Sequence, residues 1–320
     1  MNNNWKKIVV ICTISGISWI LVQNPYTDKY LAGLRSEAVL TVKQKDPLLA
    51  EIEAKAGNYE YPPQDARIDS IWKAVPGYNG IKVDIKASYK IMKKSSKFDE
   101  KKLIFIQLPP SRHLEDLPSA PIYRAHPDKP VVSFIVNVAW GNEYLTKMLA
   151  TLKEHGVKAT FFLEGRWAKN NPELVKMIEE GGHEIGNHSY SHPDMKTLSS
   201  EASKNEIQKT NEVIHAVTNG VKSKWFAPPS GSYREETVNI AASLGMGTIM
   251  WSVDTIDWQK PSPDILINRV VSKVHPGAFV LMHPTDSTAR SLDTLIKEIK
   301  KKNLHIMTVS DALSEKRIIR

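Results

Sequence analysis

Residues 131–315 alternate between short apolar runs and longer amphipathic stretches, which is the pattern of strands that alternate with helices. Seven apolar runs are predicted to be strands: 131–138, 159–163, 183–187, 224–228, 247–253, 278–283 and 304–310. Short loops between alternating strands and helices favour a parallel (β/α) barrel. A doubly wound open sheet is the alternative, but no Gly-x-Gly-x-x-Gly sequence opens a helix here.

A small α/β unit is predicted before the barrel, at residues 67–116. Residues 68–74 place apolar side chains at helical spacing, and residues 81–85 and 102–108 show the pattern of strands. At about 45 residues such a unit is near the lower limit for independent stability, so we expect it to pack on its neighbour. A Pro-, His- and Asp-rich stretch at residues 117–130 is predicted to be a linker.

The N-terminal residues 1–25 are typical of a targeting segment. Two lysines precede an apolar run at residues 8–22, and no small-x-small cleavage site follows the run. The run is short for a membrane span, which needs about 17–25 residues. We expect an uncleaved signal-anchor that leaves the rest of the chain extracytoplasmic; a cleaved signal peptide is the alternative. Residues 26–66 predict a stalk or helical linker.

Composition narrows the classes of partner. A net charge of +8 and a pI of about 9.2 favour an anionic surrounding, such as a membrane surface or an acidic cell-wall polymer. No block of Lys and Arg is interleaved with aromatic residues, so nucleic acid is not expected. The only cysteine, Cys12, lies in the N-terminal apolar run. The exported part therefore has no disulfide, thiolate metal site or cysteine nucleophile.

His188 and His192 follow the third predicted strand of the barrel. Because they are four residues apart, we expect them on one face of a helical turn, with both rings aimed at one point. The carboxyl ends of the strands are where barrel proteins build their sites. We interpret the pair as ligands of a divalent metal, although His-x-x-x-His is a weak motif that two surface histidines also produce by chance.

Polar residues also follow the next three predicted strands, in the segments 226–233, 251–258 and 281–285. Singly, each segment has a simpler explanation: a turn, a pair of aspartate helix caps and a buried core histidine. Together, in this order and on one rim of a barrel, they predict a single site.

These segments resemble the motifs of the polysaccharide deacetylases, the NodB-homology group also called carbohydrate esterase family four. The resemblance covers about residues 131–315, and four of the family's five motifs appear in order with matching spacing. Residues 137–141 and 227–231 are similar to a sporulation-associated branch found in spore-forming Gram-positive bacteria. The resemblance implies a deformed (β/α) barrel of about seven parallel strands, a divalent metal that is typically zinc, and cell-wall glycan as the partner.

The resemblance also implies roles for single residues. In the family, the metal polarises the acetamide carbonyl and activates water, an Asp acts as general base, and a His protonates the leaving amine. Carried over by position, the implied roles are metal ligands (His188, His192), general acid (His283), residues that orient this acid (Asp254, Asp257), an oxyanion donor through its backbone N–H (Ser230) and sugar contacts (Trp258, Pro229, Trp140).

The first motif of the family, Thr-Phe-Asp-Asp-Gly, is degenerate in this chain. Alignment on Gly141 puts Ala139 in the place of the general base and Trp140 in the place of the metal-binding Asp. No Asp or Glu occurs anywhere in residues 131–142, so the loss does not depend on register. The Arg that pairs with the base in the family is replaced by Ala227. A buried Arg without its partner carboxylate would destabilise the fold. The loss of both residues together therefore indicates a stable site of altered composition.

Two functions remain open on this evidence. The first is an exported, metal-dependent deacetylase that hydrolyses the acetamide of N-acetylated amino sugars in peptidoglycan, with weak or altered activity and a weakened zinc site. Two imidazoles plus waters can still hold Zn²⁺, though less tightly. Asn137 or Glu143 could supply a substitute ligand, although neither stands at the aligned position and Glu143 is better placed to start the following helix. The second is a catalytically inactive relative, a pseudoenzyme that keeps the groove as a glycan-binding or scaffolding module. A third, in which the N-terminal unit acts and the barrel only supports it, ranks below both.

Overall fold

The computed structural model describes the chain in three stretches, residues 3–22, 24–40 and 46–319. Contacts divide the chain into two compact units, Met1–Asn58 with Val83–Ile104 and Tyr59–Lys82 with Phe105–Arg320. We call them the helical unit and the barrel unit. The predicted α/β unit at residues 67–116 is not one compact body in this structure, because its residues are shared between the two.

The helical unit contains α1 (Asn3–Val22), α2 (Pro25–Leu40), α3 (Pro47–Ala56) and α4 (Ile85–Met92). Asp46 and Asp84 cap α3 and α4, and each side chain accepts a hydrogen bond from a backbone N–H of the first turn. α3 packs against α4, and Ile52 and Met92 are fully buried.

The first helix covers the apolar run that is predicted to be a signal-anchor. Among the described residues, no single helix is both long and apolar enough to cross a membrane. The bent pair Trp5–Ile20 and Pro25–Arg35 passes the same test of length and composition when taken together. The membrane segment therefore stays a prediction.

The strands are β1 (Arg67–Asp69), β2 (Lys73–Val75), β3 (Gly80–Val83), β4 (Phe105–Leu108), β5 (Val131–Val138), β6 (Thr160–Leu163), β7 (Glu184–Asn187), β8 (Trp225–Phe226), β9 (Gly247–Thr248), β10 (Val253–Asp254), β11 (Ala278–Met282) and β12 (His305–Ile306). The helices of the barrel unit are α5 (Asn142–Glu154), α6 (Gly165–Asn170), α7 (Pro172–Glu180), α8 (Ser200–Val217), α9 (Glu235–Ser243), α10 (Pro263–Lys273), α11 (Asp286–Lys301) and α12 (Val309–Leu313).

One parallel sheet forms a curled half-barrel in the order β10-β11-β5-β6-β7-β8-β9, and β12 pairs with the first residues of β5. The deformed parallel barrel of about seven strands is thus confirmed. The predicted strand at residues 247–253 is split, because its two ends, β9 and β10, lie at opposite edges of the sheet. Within the described residues no ladder joins these edges, so the barrel is open there.

Every side chain of β5 is buried, as expected for a strand covered on both faces. Phe134 and Val136 belong to the core that the strands share with the surrounding helices. Val131 and Ile135 belong to a second core inside the half-barrel. Because side chains alternate along a strand, Asn137 and the residues just beyond it face the mouth of the half-barrel.

The predicted helix at residues 68–74 is wrong. The segment is a hairpin in which β1 pairs antiparallel with β2. The Asp69 carboxylate accepts hydrogen bonds from the backbone N–H groups of Ile71 and Trp72, both at 2.8 Å. Such a bond pattern stabilises a turn in place of a helix.

The predicted linker at residues 117–130 is built into the barrel unit. Ile122 donates a backbone hydrogen bond to Thr248 (2.9 Å) and accepts one from Met250 (2.8 Å). Ala125 donates to Gly277 at 2.9 Å. The stretch therefore pairs with strand segments on both sides of the gap between β9 and β10.

Low pH is expected to destabilise the barrel unit, because it protonates histidines that are buried in the neutral form. His126 is such a residue: it is buried, and its ring stacks on that of Tyr78 with centroids 4.8 Å apart. Burial lowers the pKa of His126 to about 4. An unfolded chain takes up this proton near pH 6.5. The unfolded state therefore binds more protons between about pH 6.5 and 4, and the free energy of unfolding falls as the pH falls through this range.

The His126→Phe variant keeps the ring stack and removes the titration. Its loss of unfolding free energy between pH 7 and pH 4, measured by denaturant titration, is expected to be roughly 2–3 kcal/mol smaller than in the unmodified protein. His215→Gln, at an exposed histidine, is the control and is expected to keep the full loss. An unchanged loss in His126→Phe would contradict the assignment.

Candidate functional site

The loop after β7 brings His188 and His192 together, but not as a helical turn. Residues 188–192 form an irregular bend, and Ser189 (φ 62°) and His192 (φ 58°) have left-handed backbone conformations. The two ring centroids lie 5.0 Å apart with the planes at 70°. The two rings lie close together, as predicted. The predicted helical turn between them is wrong.

Glu206 on α8 holds this bend in place. Its carboxylate accepts hydrogen bonds from the backbone N–H groups of Tyr190 (2.9 Å) and Ser191 (2.8 Å) and from the Ser191 hydroxyl (2.9 Å). The Asn187 side chain accepts from Ser189 N–H at 2.9 Å. These bonds offset the cost of the two left-handed residues, about 1–3 kcal/mol each.

The ring of His188 is buried and held in one tautomer. Its Nδ1 lies 2.8 Å from the carbonyl oxygen of Ala227, which can only accept, so Nδ1 carries the hydrogen and Nε2 keeps a lone pair. Burial and the neighbouring His192 lower the pKa of His188 to about 3. Burial also lowers the pKa of His192. Near pH 7 both rings are therefore neutral.

His283 follows β11 and is held by Asp257. Its Nδ1 donates to Asp257 Oδ1 at 2.7 Å, and its backbone N–H donates to Oδ2 at 2.6 Å. The fully buried Asp257 also accepts from the Thr288 hydroxyl at 2.5 Å. Asp254, predicted to share the orienting role, instead accepts from the backbone N–H of Ile256 at 2.7 Å. Of these two aspartates, only Asp257 has a hydrogen bond to His283 in the structure.

The end of β5 brings Ala139 and Trp140 to the site. The indole of Trp140 stacks on the imidazole of His283, with centroids 5.8 Å apart and planes at 9°. Gly141 has φ +84°, and a Cβ there would lie 2.0 Å from the carbonyl oxygen of Pro284. Only glycine fits so close to that backbone. The indole and the imidazole are thus held by two loops in direct contact.

The loop after β8 carries Ala227, Pro229 and Ser230. Ala227 and Pro229 are buried, so Pro229 does not reach the cavity where a sugar contact is predicted. Ser230 is exposed with φ 54°, and it lines the cavity. The predicted oxyanion role of its backbone N–H stays a prediction.

One cavity of about 490 Å³ joins these strand ends. It is lined by Asn137, Ala139, Trp140, His188, His192, Ser230, Trp251, Asp254, Trp258, Leu281 and His283. Among the residues with predicted roles, Asp257, Pro229 and Ala227 lie behind this surface. Trp251 and Leu281 were not singled out from the sequence, although the alternation of β11 and the position of Trp251 before β10 place them at the same rim.

Asn137 has an unmet hydrogen-bonding requirement at the base of the cavity. The side chain is only 4% exposed, and within the described residues its Oδ1 has no hydrogen-bond partner. A buried amide oxygen is normally satisfied by protein, water or ligand. Asn137 is therefore suited to accept a hydrogen bond from a ligand N–H or O–H.

The side chains present do not fit a resident catalytic metal. Three imidazoles line the cavity, two of them the predicted ligands His188 and His192, but the described residues form no group of three or more His, Cys, Asp or Glu side chains that could hold a metal ion. Catalytic zinc sites take three protein ligands and keep one open position. The weakened zinc site with His188 and His192 stays a prediction.

Comparison with known proteins agrees with this geometry. A family model described as polysaccharide deacetylase matches residues 124–249. The peptidoglycan-N-acetylmuramic acid deacetylase PdaA of Bacillus subtilis (strain 168) is 32% identical over 179 residues, which are 55% of this chain and 68% of that protein. The chain belongs to the polysaccharide deacetylase family.

More similar proteins also match this polysaccharide deacetylase chain. YlxY of Bacillus subtilis (strain 168) is 54% identical over 319 residues, 99% of this chain and 100% of that protein. The crystal structure of wild-type BA3943 from Bacillus anthracis, described as a CE4 family pseudoenzyme, is 57% identical with a TM-score of 0.82, over 85% of this chain and 96% of that chain. A BA3943 mutant described as having restored enzymatic activity is 56% identical, with a TM-score of 0.82, over 85% and 99% of the two chains.

Glu206→Gln is expected to loosen the bend that carries the two histidines. The glutamine amide has only one oxygen acceptor. Its NH₂ group would therefore face one of the N–H or O–H donors that now bond to the Glu206 carboxylate. Leaving one such donor unsatisfied costs about 1–3 kcal/mol. Amide hydrogen exchange at Tyr190 and Ser191 is therefore expected to accelerate. Glu212→Gln, at an exposed position on the same helix, is the control. Equal exchange rates in both variants would show that Glu206 does not hold the bend.

Proposed function

We propose that this member of the polysaccharide deacetylase family binds N-acetylated amino sugars of cell-wall glycan at the mouth of the half-barrel without hydrolysing them. The observation that carries the proposal is the end of β5. Ala139 and Trp140 stand where the resemblance requires two aspartates, and the Trp140 indole covers one face of His283. The general base and one metal ligand of the family are thus missing, and His283, the predicted general acid, is stacked against an indole.

The cavity keeps the features that a sugar needs. Trp140, Trp251 and Trp258 supply aromatic surface against which the apolar face of a sugar ring packs. Asn137 offers an unpaired amide oxygen that suits the N–H of an acetamide. The relatives support this class of ligand, because PdaA acts on N-acetylmuramic acid of peptidoglycan. BA3943 supports the loss of turnover, because it is described as a pseudoenzyme.

Slow, metal-dependent deacetylation is the second candidate. It is favoured by the neutral pair His188 and His192 and by His283, since all three rings line the cavity and His283 keeps its hydrogen bond to Asp257. Losing a general base typically costs 10²–10⁴-fold in rate, so residual turnover would be small.

We place the barrel unit outside the cytoplasmic membrane, attached through α1. Exposed apolar side chains on α1 support this, among them Ile11 (63% exposed) and Trp19 (70% exposed). The two lysines before the apolar run favour a cytoplasmic N-terminus. This location would put the cavity in the compartment that holds peptidoglycan.

Returning both carboxylates is expected to separate the two candidates. The Ala139→Asp/Trp140→Asp variant is expected to bind zinc and to release acetate from N-acetylated chitooligosaccharides at least 10²-fold faster than the unmodified protein, because a base and a ligand are restored. Metal content and acetate release are measured together.

The matched control is Ala139→Asn/Trp140→Asn, which changes size similarly without supplying carboxylates. Adding His188→Ala to the Asp variant is expected to remove both metal and turnover. If the unmodified protein already carries stoichiometric zinc and turns over the oligosaccharide, the inactive-binder proposal is wrong and the slow enzyme is favoured.

Trp258→Ala is expected to weaken glycan binding without affecting the fold, because this indole is 58% exposed and lines the cavity. Loss of one sugar–aromatic contact of about 1.4 kcal/mol raises the Kd about tenfold. Titration calorimetry with tetra-N-acetylchitotetraose measures the change. Ile265→Ala, at an exposed apolar position on α10, is the control. Unchanged affinity in Trp258→Ala would place the glycan elsewhere.

A further inference from the structure

The positive charge of the chain is concentrated in one short stretch of the helical unit. Residues 86–102, which we call the lysine patch, contain seven lysines against Asp99 and Glu100, a net charge of +5 out of +8 for the whole chain. All seven lysines are exposed. The patch comprises most of α4 and the residues that follow it.

The geometry of α4 separates an inner face from a basic outer face. Ser88 and Met92 are fully buried. Lys86 and Lys90 are four residues apart and lie about 120–160° around the helix from that buried pair. Both are exposed. The helix therefore buries one side in its unit and presents ammonium groups on the other.

In the part of the chain that the structure describes, these ammonium groups have no carboxylate partner. Within the described residues, no ion pair joins Lys86, Lys90, Lys94 or Lys97 to a carboxylate. The exposed lysines of α11 differ, because Lys297 pairs with Asp293 at 2.9 Å and Lys301 pairs with Glu298 at 2.6 Å. An unpaired basic cluster suits a partner that carries several negative charges.

The patch lacks the aromatic platforms that single-stranded nucleic acid needs for base stacking. Tyr89 is half-buried and donates its hydroxyl hydrogen bond to Asp46 at 2.7 Å. Phe98 is also half-buried, beneath the ammonium group of Lys55 at 4.3 Å. Ile91 is 46% exposed among the lysines. Lysines around an exposed apolar side chain are typical of a helix that lies on a charged membrane surface.

We propose that the lysine patch docks onto anionic phospholipid headgroups of the membrane that holds α1. The proposal rests on the membrane attachment proposed above and is independent of glycan binding. α1 lies in the same compact unit of the chain as the patch. α2 is 16 residues long and spans about 24 Å. With the other residues between α1 and α3 fully extended, α3 begins within about 50 Å of the end of α1.

The test uses the full-length protein in vesicles of phosphatidylcholine alone and of phosphatidylcholine mixed equally with phosphatidylglycerol. Co-flotation with both vesicle types reports the attachment through α1. A water-soluble amine-acylating reagent then labels exposed lysines, and mass spectrometry gives the rate at each position. Labelling of Lys86, Lys90 and Lys94 is expected to be at least fivefold slower in vesicles that contain phosphatidylglycerol than in vesicles of phosphatidylcholine alone. Lys147 and Lys204 in the barrel unit are expected to react equally in both, and high salt should abolish the difference.

A charge variant tests whether the patch acts as a unit. In Lys86→Gln/Lys90→Gln/Lys94→Gln/Lys97→Gln, the remaining Lys93 and Lys101 are expected to lose their protection. The matched control removes the same charge from exposed positions of the barrel unit, Lys147→Gln/Lys153→Gln/Lys204→Gln/Lys273→Gln. In this control, Lys93 and Lys101 are expected to stay protected from labelling.

Three outcomes would overturn the proposal. Equal labelling in both vesicle types, with the protein floating in both, would show that attachment is correct and lipid docking is not. Failure to float with either vesicle would remove the membrane attachment itself, and leave the glycan-binding proposal intact. Protection by purified teichoic acid on phosphatidylcholine vesicles, without protection by phosphatidylglycerol, would assign the patch to a wall polymer instead.

Discussion

Burial of β5 on both faces determines which side chains the mouth of the half-barrel receives. Its residues alternate between the core under the helices and the core inside the sheet, and neighbouring strands pair along both of its edges. A slip of one residue would turn every side chain to the other face, so the register is strongly specified. Ala139 and Trp140 are therefore fixed at the mouth, and no Asp or Glu among residues 131–142 stands in their place.

Retention of the other site residues has a structural explanation that does not require turnover. The Asp257 carboxylate is fully buried and accepts three hydrogen bonds, two of them from His283. Breaking such a set leaves a buried charge without partners, which costs about 3–5 kcal/mol. His188 likewise satisfies the carbonyl of Ala227 between neighbouring strands. Folding alone favours keeping these residues, so their presence says less about catalysis than the indole on His283 does.

Some features could be predicted from the sequence because their signal is local. The apolar strands, the histidines after β7 and β11, and the missing carboxylates after β5 all follow from runs of neighbouring residues. The bend at His188 does not, because Glu206, which holds it, lies on the next helix. A spacing of four residues fits a helical turn and this bend equally well, and only the distant partner decides between them.

Two further errors have the same origin. Residues 68–74 have helical spacing of their apolar side chains, but the side chain of Asp69 bonds to the backbone and makes a turn. Residues 247–253 look like one strand, yet Ile122 pairs with the middle of the segment and β10 pairs with β11 at the other edge. Strand pairing is decided by which neighbours are present in the fold, and periodicity within one segment carries no information about them.

The distribution of charge separates two kinds of recognition in one chain. The cavity of the barrel unit is lined by three histidines, of which His188 and His192 are neutral near pH 7, and by indoles and an amide, with Asp254 as its one carboxylate among the described lining residues. The glycan binding proposed for this cavity would depend on stacking and hydrogen bonds, which salt screens little. The helical unit carries most of the net charge at exposed lysines, where salt screens strongly. Under the two proposals, the barrel unit takes a sugar and the helical unit an anionic surface through different kinds of contact, and neither contact requires hydrolysis.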